Sequence, residues 1–413
     1  MKILFVSDNC SDEMYKKIER ERTIKLLPAQ QNFFRLLLKG MLGAGECDIE
    51  CLSAVPVSAS CHPKKKWEYK SEQIGTNFRY IYIPFRNTRC GRHISQFLST
   101  WKLCAKWIKE NKSEDKIILC DSIIMQCAGA AKLAAKIHRC KVVGVVTDIS
   151  KYTTQILGTP KSAVRRLVRK VYDGLSDCAM KGLDGYIFLT EYMNEEINKK
   201  KKPYIIIEGI ASDEAPGKIQ ENMAEQGSEM VRDAEGQAYV MYAGGIHEKF
   251  GVIKLARAFV NADMGCPLYV YGSGPDTDKL LELEKQSDKV KYKGILSRDE
   301  IVRKEREATL LVNPRPSDED FTRFSFPSKT MEYMASGTPV ISTALKGIPE
   351  EYKKYIFIFE EETEEGMAKK IQQVLALGDE LHIWGDRARQ FVLEHKSYKS
   401  QGLKALQFLA SLI

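Results

Sequence analysis

The sequence has no uninterrupted run of about 18 apolar residues, the length a helix needs to cross a bilayer, so no membrane-spanning helix is expected. The opening MKILFVSD holds only a short apolar stretch between Lys2 and Asp8. That is too short for the apolar core of a secretory signal. The 11 cysteines include no CxxC pair and no Cys/His array at zinc spacing. Cys47, Cys51 and Cys61-His62 come nearest, without a convincing fourth ligand. Ten of the cysteines lie at or before Cys178, and Cys104, Cys120, Cys127 and Cys178 sit in apolar surroundings. Small core residues in a reducing cytosol fit that usage better than disulfides. The basic residues lack aromatic interleaving and a recognised module, which argues against a nucleic-acid binder. His93, His138 and His247 each stand alone, as structural histidines do.

What is present is size and an uneven charge. At 413 residues the chain exceeds one ordinary core, so two domains are expected. With 44% hydrophobic and 29% charged residues, the composition is that of a soluble globular protein. The net charge of +8 hides an asymmetry: residues 1–205 hold 36 Lys+Arg and 21 Asp+Glu, leaving 27 and 34 for residues 206–413. A balance of +15 against −7 implies an anionic partner for the first half.

Short apolar strands alternate with helical patterns along the first half. Strands are expected at Ile3–Ser7, Ile49–Ala54, Arg79–Pro84, Ile117–Cys120, Lys141–Thr147, Tyr186–Thr190 and Pro203–Glu208. The alternation restarts at Ala238 and runs through strands ending near Ala243, Tyr271, Lys293, Val312, Ser342 and Phe359. Such alternation predicts an α/β protein of two doubly wound, Rossmann-like domains facing a central cleft. The expected organisation is a domain over 1–205, a linker or mobile loop over 206–237, a second domain over 238–395, and a C-terminal helix over 396–413 packing back toward the first domain. The linker assignment rests on a stretch rich in Glu, Asp, Gly and Ser with weak periodicity.

Four strand-end loops of the second half carry the chemistry. The richest is NPRPSDEDFTRFSFPSKTMEYMASGTPVISTALKGIP, Asn313 to Pro349. It turns from a strand through a Pro-rich loop into a helix start, where free N–H groups and the helix dipole favour an anion. Ser325, Phe326 and Lys329 stand at that start, Glu332 just beyond, and Arg315 earlier in the loop. A diphosphate at the helix start and a ribose against Glu332 fit these groups. In Tyr242-Ala243-Gly244-Gly245-Ile246-His247-Glu248-Lys249-Phe250-Gly251, the glycines Gly244 and Gly245 let backbone approach a phosphate, and Lys249 adds a charge. Gly272 and Gly274 sit in a GSGP turn, which alone is only a turn signal. Backbone at Ile295 and Leu296 can read a nucleobase edge, while Ser297 and Glu300 equally make a helix capping box.

Together, YAGGIHEKFG, YGSGP, KGILSRDEI and SFPSKTMEYMASGTPVI resemble the donor domain of the group 1 (family 4) retaining glycosyltransferases. The resemblance covers roughly residues 238–350 and is only architectural over the first half. It implies the GT-B fold, a nucleotide-sugar donor and transfer with retention. It also implies that Glu332, the second acid of the family's Glu-x7-Glu pair, binds the ribose. Two positions depart from the family pattern. Phe324 stands where the first acid belongs, and Gly245 stands where an Arg is common, with Lys249 one residue early. Arg315, Arg323 and Lys329 are the candidates to supply the missing charge. Asp318-Glu319-Asp320 reads as a plain acidic turn, not a metal motif, so no metal or other cofactor is expected. No pair of carboxylates suits a glycosidase-type double displacement.

The first half is assigned to the acceptor. Asp148 ends a strand there and is expected to face the cleft, orienting the acceptor hydroxyl or the donor sugar, or simply capping the next turn. Over Lys161–Tyr172, Val164, Leu167, Val168 and Val171 fall on one helix face and Arg165, Arg166, Arg169 and Lys170 on the other. Such a helix lies on an anionic membrane or packs its apolar stripe on the core. The resulting expectation is a cytoplasmic glycosyltransferase at the inner membrane face. It moves a hexosyl-type sugar from a UDP- or GDP-sugar to a glycan or lipid-linked acceptor, in polysaccharide or glycolipid synthesis. The alternatives are a non-catalytic nucleotide-sugar-binding subunit and an epimerase of the same fold.

Overall fold

A computed structural model of the chain describes residues 1–23, 28–89, 91–112, 114–149, 152, 162–212 and 237–413. Most of the expected linker, residues 213–236, therefore lies outside the described residues, as does Lys161. The chain forms two compact units. One is Met1–Ile210 with Tyr398–Ile413, and the other is Ala211–Ser397.

The first unit is built on an eight-stranded sheet. Edge to edge it runs Tyr204–Ile206, Gly185–Phe188, Lys141–Val146, Lys116–Asp121, Lys2–Ser7, Asp48–Ser53, Phe78–Tyr82 and Lys70–Gln73. Every pairing is parallel except the last, where Lys70–Gln73 runs antiparallel to Phe78–Tyr82. The central strands are buried along nearly their whole length, as strands covered on both faces must be. The polar edge strand Lys70–Gln73 carries no apolar signal that sequence patterning can read.

The C-terminal helix Tyr398–Ala410 lies in this unit, against helix Pro28–Ala44. A Cβ at Gly402 would strike the Gly40 backbone, and one at Gly40 the Tyr398 carbonyl. Two glycines thus permit a backbone-to-backbone helix crossing that no larger residue allows. Lys404 Nζ also donates to the Ile206 carbonyl, 2.8 Å away, so the chain end is tied to the edge strand.

The second unit has a six-stranded, all-parallel sheet. Its order is Val290–Tyr292, Leu268–Ser273, Val240–Gly245, Leu310–Asn313, Val340–Ser342 and Phe357–Ile358. Two apolar layers cover it. One includes Val252, Leu255, Phe259 and Ile371, and the other Tyr333, Met334, Val340 and Val392. Because all strands run one way, the loops after Gly245, Ser273, Asn313 and Ser342 leave the sheet at one edge. All the strands expected from the sequence are present, with ends shifted by a residue or a few.

Candidate active site

The loops at that edge are laced together by backbone. Ile246 N donates to the Ser273 carbonyl at 3.0 Å, and Gly272 N to the Gly294 carbonyl at 2.8 Å. Gly272 holds φ +128, and a Cβ there would strike the Gly244 carbonyl; one at Gly274 would strike that of Ile246. These glycines are therefore accounted for by loop-on-loop packing, and Gly245 is the exposed member of the group. Asp276 fastens the first loop by accepting from Glu248 N at 2.8 Å. His247 caps the short helix Glu248–Phe250, taking the Lys249 N–H on Nδ1 at 3.2 Å.

Arg315 is the unusual cation of this edge. Its guanidinium lies over the Phe250 ring, 4.9 Å from the centroid, and 5.8 Å from that of Phe321. Its Nε is buried without a hydrogen-bond partner. Among the described residues it makes no ion pair with a carboxylate. Burial lowers the affinity of the group for its proton, as it does for any cation taken from water. The Gly251 backbone presses close to the Pro314 carbonyl, which fixes the Arg315 segment against the first loop. The first loop thus receives, through Arg315, the positive charge that its own sequence lacks at Gly245.

The helix Ser328–Ser336 follows a Pro327 N-cap that contributes no side-chain cap. Asn313 Nδ2 donates to Thr330 Oγ1 at 3.2 Å and Ser342 Oγ at 3.3 Å, tying strand end to helix start. Tyr333 locks the helix to the central strand. It takes the Ala243 N–H at 2.9 Å and donates to the Ala243 carbonyl at 3.2 Å. Ser325 Oγ, just before the helix, is buried and unpaired.

Lys329 Nζ lies 2.8 Å from Glu332 Oε2 and 3.9 Å from Glu305 Oε1. Burial pulls the ammonium down, but the two carboxylates outweigh it and its pKa is raised. Glu305 was not singled out in the sequence. It is buried, both its oxygens lack hydrogen-bond partners, and burial pushes its carboxyl up to about 8 against the pull of Lys329. The signal was available: Glu305 stands four residues after Ile301, on the inward face of an otherwise charged helix.

The remaining expected residues are spread more widely. Phe326 is a core residue packed on Tyr352 at 5.1 Å. Phe324 is buried under Arg323, whose guanidinium is 4.8 Å from its ring centroid. Arg323 also pairs with Asp320 at 3.7 Å, so its charge is engaged by the acidic turn. Ile295 is exposed while Leu296 packs on the core. Ser297 and Glu300 form the capping box.

In the first unit, Asp148 follows strand Lys141–Val146 and is partly buried. Cys178, expected in apolar surroundings, is exposed instead. Helix Ala163–Met180 buries Ser176, Ala179 and Met180 and turns Leu167, Val168, Val171 and Leu175 outward, each more than half exposed. Arg166 and Lys170 are exposed, and Arg169 pairs with Asp173 at 3.3 Å; the Arg165 side chain lies outside the described residues. Among the described residues no helix is long and apolar enough to cross a membrane, and no three His, Cys, Asp or Glu side chains are grouped to hold a metal ion.

The comparisons agree with this architecture. Residues 237–377 match the family described as Glycosyl transferases group 1. The fold is similar to that of sucrose-phosphate synthase from Thermosynechococcus elongatus, with TM-score 0.64 at 15% identity over 100% of this chain and 99% of that one. It is similar to HepE from Anabaena, solved with UDP, at 0.58 and 13% identity over 100% of both chains. α,α-Trehalose 6-phosphate synthase from Burkholderia multivorans gives 0.64 and 12% over 100% and 96%. No curated protein matches the chain by sequence. The fold is therefore GT-B, and the chain is a glycosyltransferase. Its group 1 domain, residues 237–377, contains Arg315, Lys329 and Glu332.

Proposed function

We infer that the chain is a retaining transferase that moves a hexosyl-type sugar from a UDP- or GDP-sugar to a glycan or lipid-linked acceptor. Arg315 is the observation that carries this reading. A partly buried guanidinium, its Nε inaccessible and unpaired, stands just past the strand end that Asn313 ties to an uncapped helix start. A cation without a counter-ion and free helix N–H groups suit a diphosphate. HepE, which shares the fold, has been solved with UDP, with UDP and glucose, and with UDP-glucose.

In this reading the donor diphosphate lies at the start of Ser328–Ser336, with Arg315 and Lys329 offsetting the charge that grows as it leaves. Glu332 accepts the ribose hydroxyls, and Gly244, Gly245 and Lys249 border the phosphates. The bond from the anomeric carbon to the diphosphate breaks, and the acceptor oxygen bonds to that carbon on the same face. The acceptor's proton passes to the departing phosphate, and Asp148 orients the acceptor hydroxyl. Two cations and a helix start supply the charge that a metal would otherwise bring, so the reaction is read as needing no metal or other cofactor.

The outward apolar face of Ala163–Met180, flanked by Arg166 and Lys170, supports a place at an anionic membrane. Each basic residue near such a surface contributes about 1 kcal/mol. A cytoplasmic protein at the inner membrane face, building a polysaccharide or glycolipid, is the setting this favours. Incubation with a panel of UDP- and GDP-sugars, without acceptor, tests the chemistry. One donor should release its nucleotide slowly, with Lys329→Ala slower by about tenfold or more. Tight donor binding with no release from any donor would leave the protein a binding subunit and end this reading.

A further inference from the structure

Helix Arg298–Glu307 carries a carboxyl group that the transfer reaction does not touch. Glu305 is 1% exposed, and neither of its carboxyl oxygens has a hydrogen-bond partner. The backbone around it is fixed. Thr338 Oγ1 donates to the Glu305 carbonyl at 2.6 Å, and Tyr239 Oη to the neighbouring Lys304 carbonyl at 2.7 Å. Leu296 and Ile301 pack the start of the helix on the core. A buried carboxyl group held in place without a donor is costly, and folded proteins contain few of them.

Among the described residues, Lys329 is the one cation within ion-pair distance of this group. Its Nζ lies 3.9 Å from Glu305 Oε1 and 2.8 Å from Glu332 Oε2. The ammonium thus stands between two carboxyl groups and donates to one of them. It has three N–H donors on a flexible stem, and a shift of roughly 1 Å would give it a charge-assisted bond to Glu305. The two acids differ in access. The Glu332 side chain is about one-third exposed and Glu305 is sealed. A ligand can therefore take Glu332 away from Lys329, and Glu305 is then the acceptor in reach.

We propose that Glu305 is a positioning residue that becomes the counter-ion of Lys329 when a nucleotide sugar occupies Glu332. The proposal rests on the donor-site reading above. One N–H of the ammonium then bonds Glu305 and the others face the diphosphate. Lys329 keeps its charge and its place while both oxygens of Glu332 turn to the ribose.

The exchange is linked to a proton. Burial pushes the Glu305 carboxyl up to about 8, so near pH 7 it is mostly protonated in the free protein. Contact with the ammonium favours the carboxylate, so the liganded state holds fewer protons and affinity rises with pH. The groups that face Glu305 are Lys329, Glu332 and Tyr333 of helix Ser328–Ser336 and Arg298 and Arg306 of its own helix. Arg389, on helix Leu381–His395, acts on Arg306. Lys329 and Tyr333 are both raised above their ordinary values, so neither titrates near neutral pH.

Calorimetric titration of the full chain in buffers of different ionisation enthalpy counts the protons. The probes are UDP-glucose, UDP-galactose, UDP-N-acetylglucosamine and GDP-mannose, whose diphosphates stay ionised throughout the range. Whichever binds should release about one proton near pH 7, and its affinity should rise about fivefold from there to pH 8. Glu305→Gln keeps the shape and never ionises, so it should abolish both the release and the rise. Glu305→Asp keeps the charge and should retain them. A group with a merely structural role would change affinity without changing the proton count. Binding by wild type without proton release, or a release that Glu305→Gln leaves intact, would overturn this proposal alone. Binding of none of the four would strike the donor reading and this proposal with it.

Discussion

At the residue scale, the second unit is distinguished by charges whose partners are unusual. Arg315 has a ring in place of a carboxylate, and the Glu305 carboxyl group has no hydrogen-bond partner. Glu305 makes a prediction about pH. Its carboxyl titrates near 8 in the folded chain against 4.5 in the open one. Between those values the folded state holds more protons, so stability falls as pH rises from about 5 to about 8. Asp8, pushed up to about 6, adds a slope of the same sign at lower pH. The difference between wild type and Glu305→Gln therefore isolates Glu305. The melting temperature of the variant should fall less over that window, and parallel profiles would show that Glu305 does not titrate there. Lys329, Glu332, Arg298, Arg306 and Tyr333 are the groups that act on it, and Lys329 titrates far above the window.

At the element scale, the helix starts and crossings are the decisive features. Tyr333 bonds both backbone groups of Ala243, so Tyr333→Phe should lower the melting midpoint by the equivalent of about 1 kcal/mol for each bond lost. A midpoint unchanged would mean that packing alone holds the helix. The Gly40–Gly402 crossing is stricter. Gly402→Val must displace backbone, and a loss of roughly 1–3 kcal/mol or more is expected in chemical denaturation, with wild-type unfolding as the contradiction. The outward face of Ala163–Met180 predicts that Leu167→Ser with Val171→Ser reduces co-sedimentation with phosphatidylglycerol vesicles. Donor hydrolysis should be unaffected. Equal sedimentation of variant and wild type would remove the membrane from the account.

Elements of this kind differ in how far the sequence reveals them. Buried parallel strands announce themselves as apolar runs, and all of the main ones were readable. The helix Asp12–Glu21 was not, because it presents only Met14 and Ile18 as buried residues and is otherwise charged. Lys70–Gln73 was hidden for the same reason. The strand-end loops of the second unit could be picked out as a set because Gly, Pro and a Lys-x-x-Glu pair stand at strand ends. Glu305, Asp8 and Asp121 were passed over because a carboxylate buried by distant neighbours looks, in one dimension, like any surface acid. The outward apolar face of Ala163–Met180 was legible as amphipathic but not as exposed, since direction is set by the helix it packs against.

At the scale of the whole molecule, the second unit is an all-parallel sheet with its candidate site beyond the strand ends. Arg315, Lys329 and Glu332 lie in the segment that leaves that edge. The central claim is that Arg315 is kept without a counter-ion in order to meet a diphosphate. Titration of UDP and GDP into wild type and Arg315→Ala tests it most directly. Whichever nucleotide binds wild type should bind the variant about tenfold more weakly or worse, because a charge-assisted contact is lost. The variant's melting temperature without nucleotide should hold or rise, since a partly buried charge without a counter-ion has been removed. Binding as tight as wild type would contradict the account.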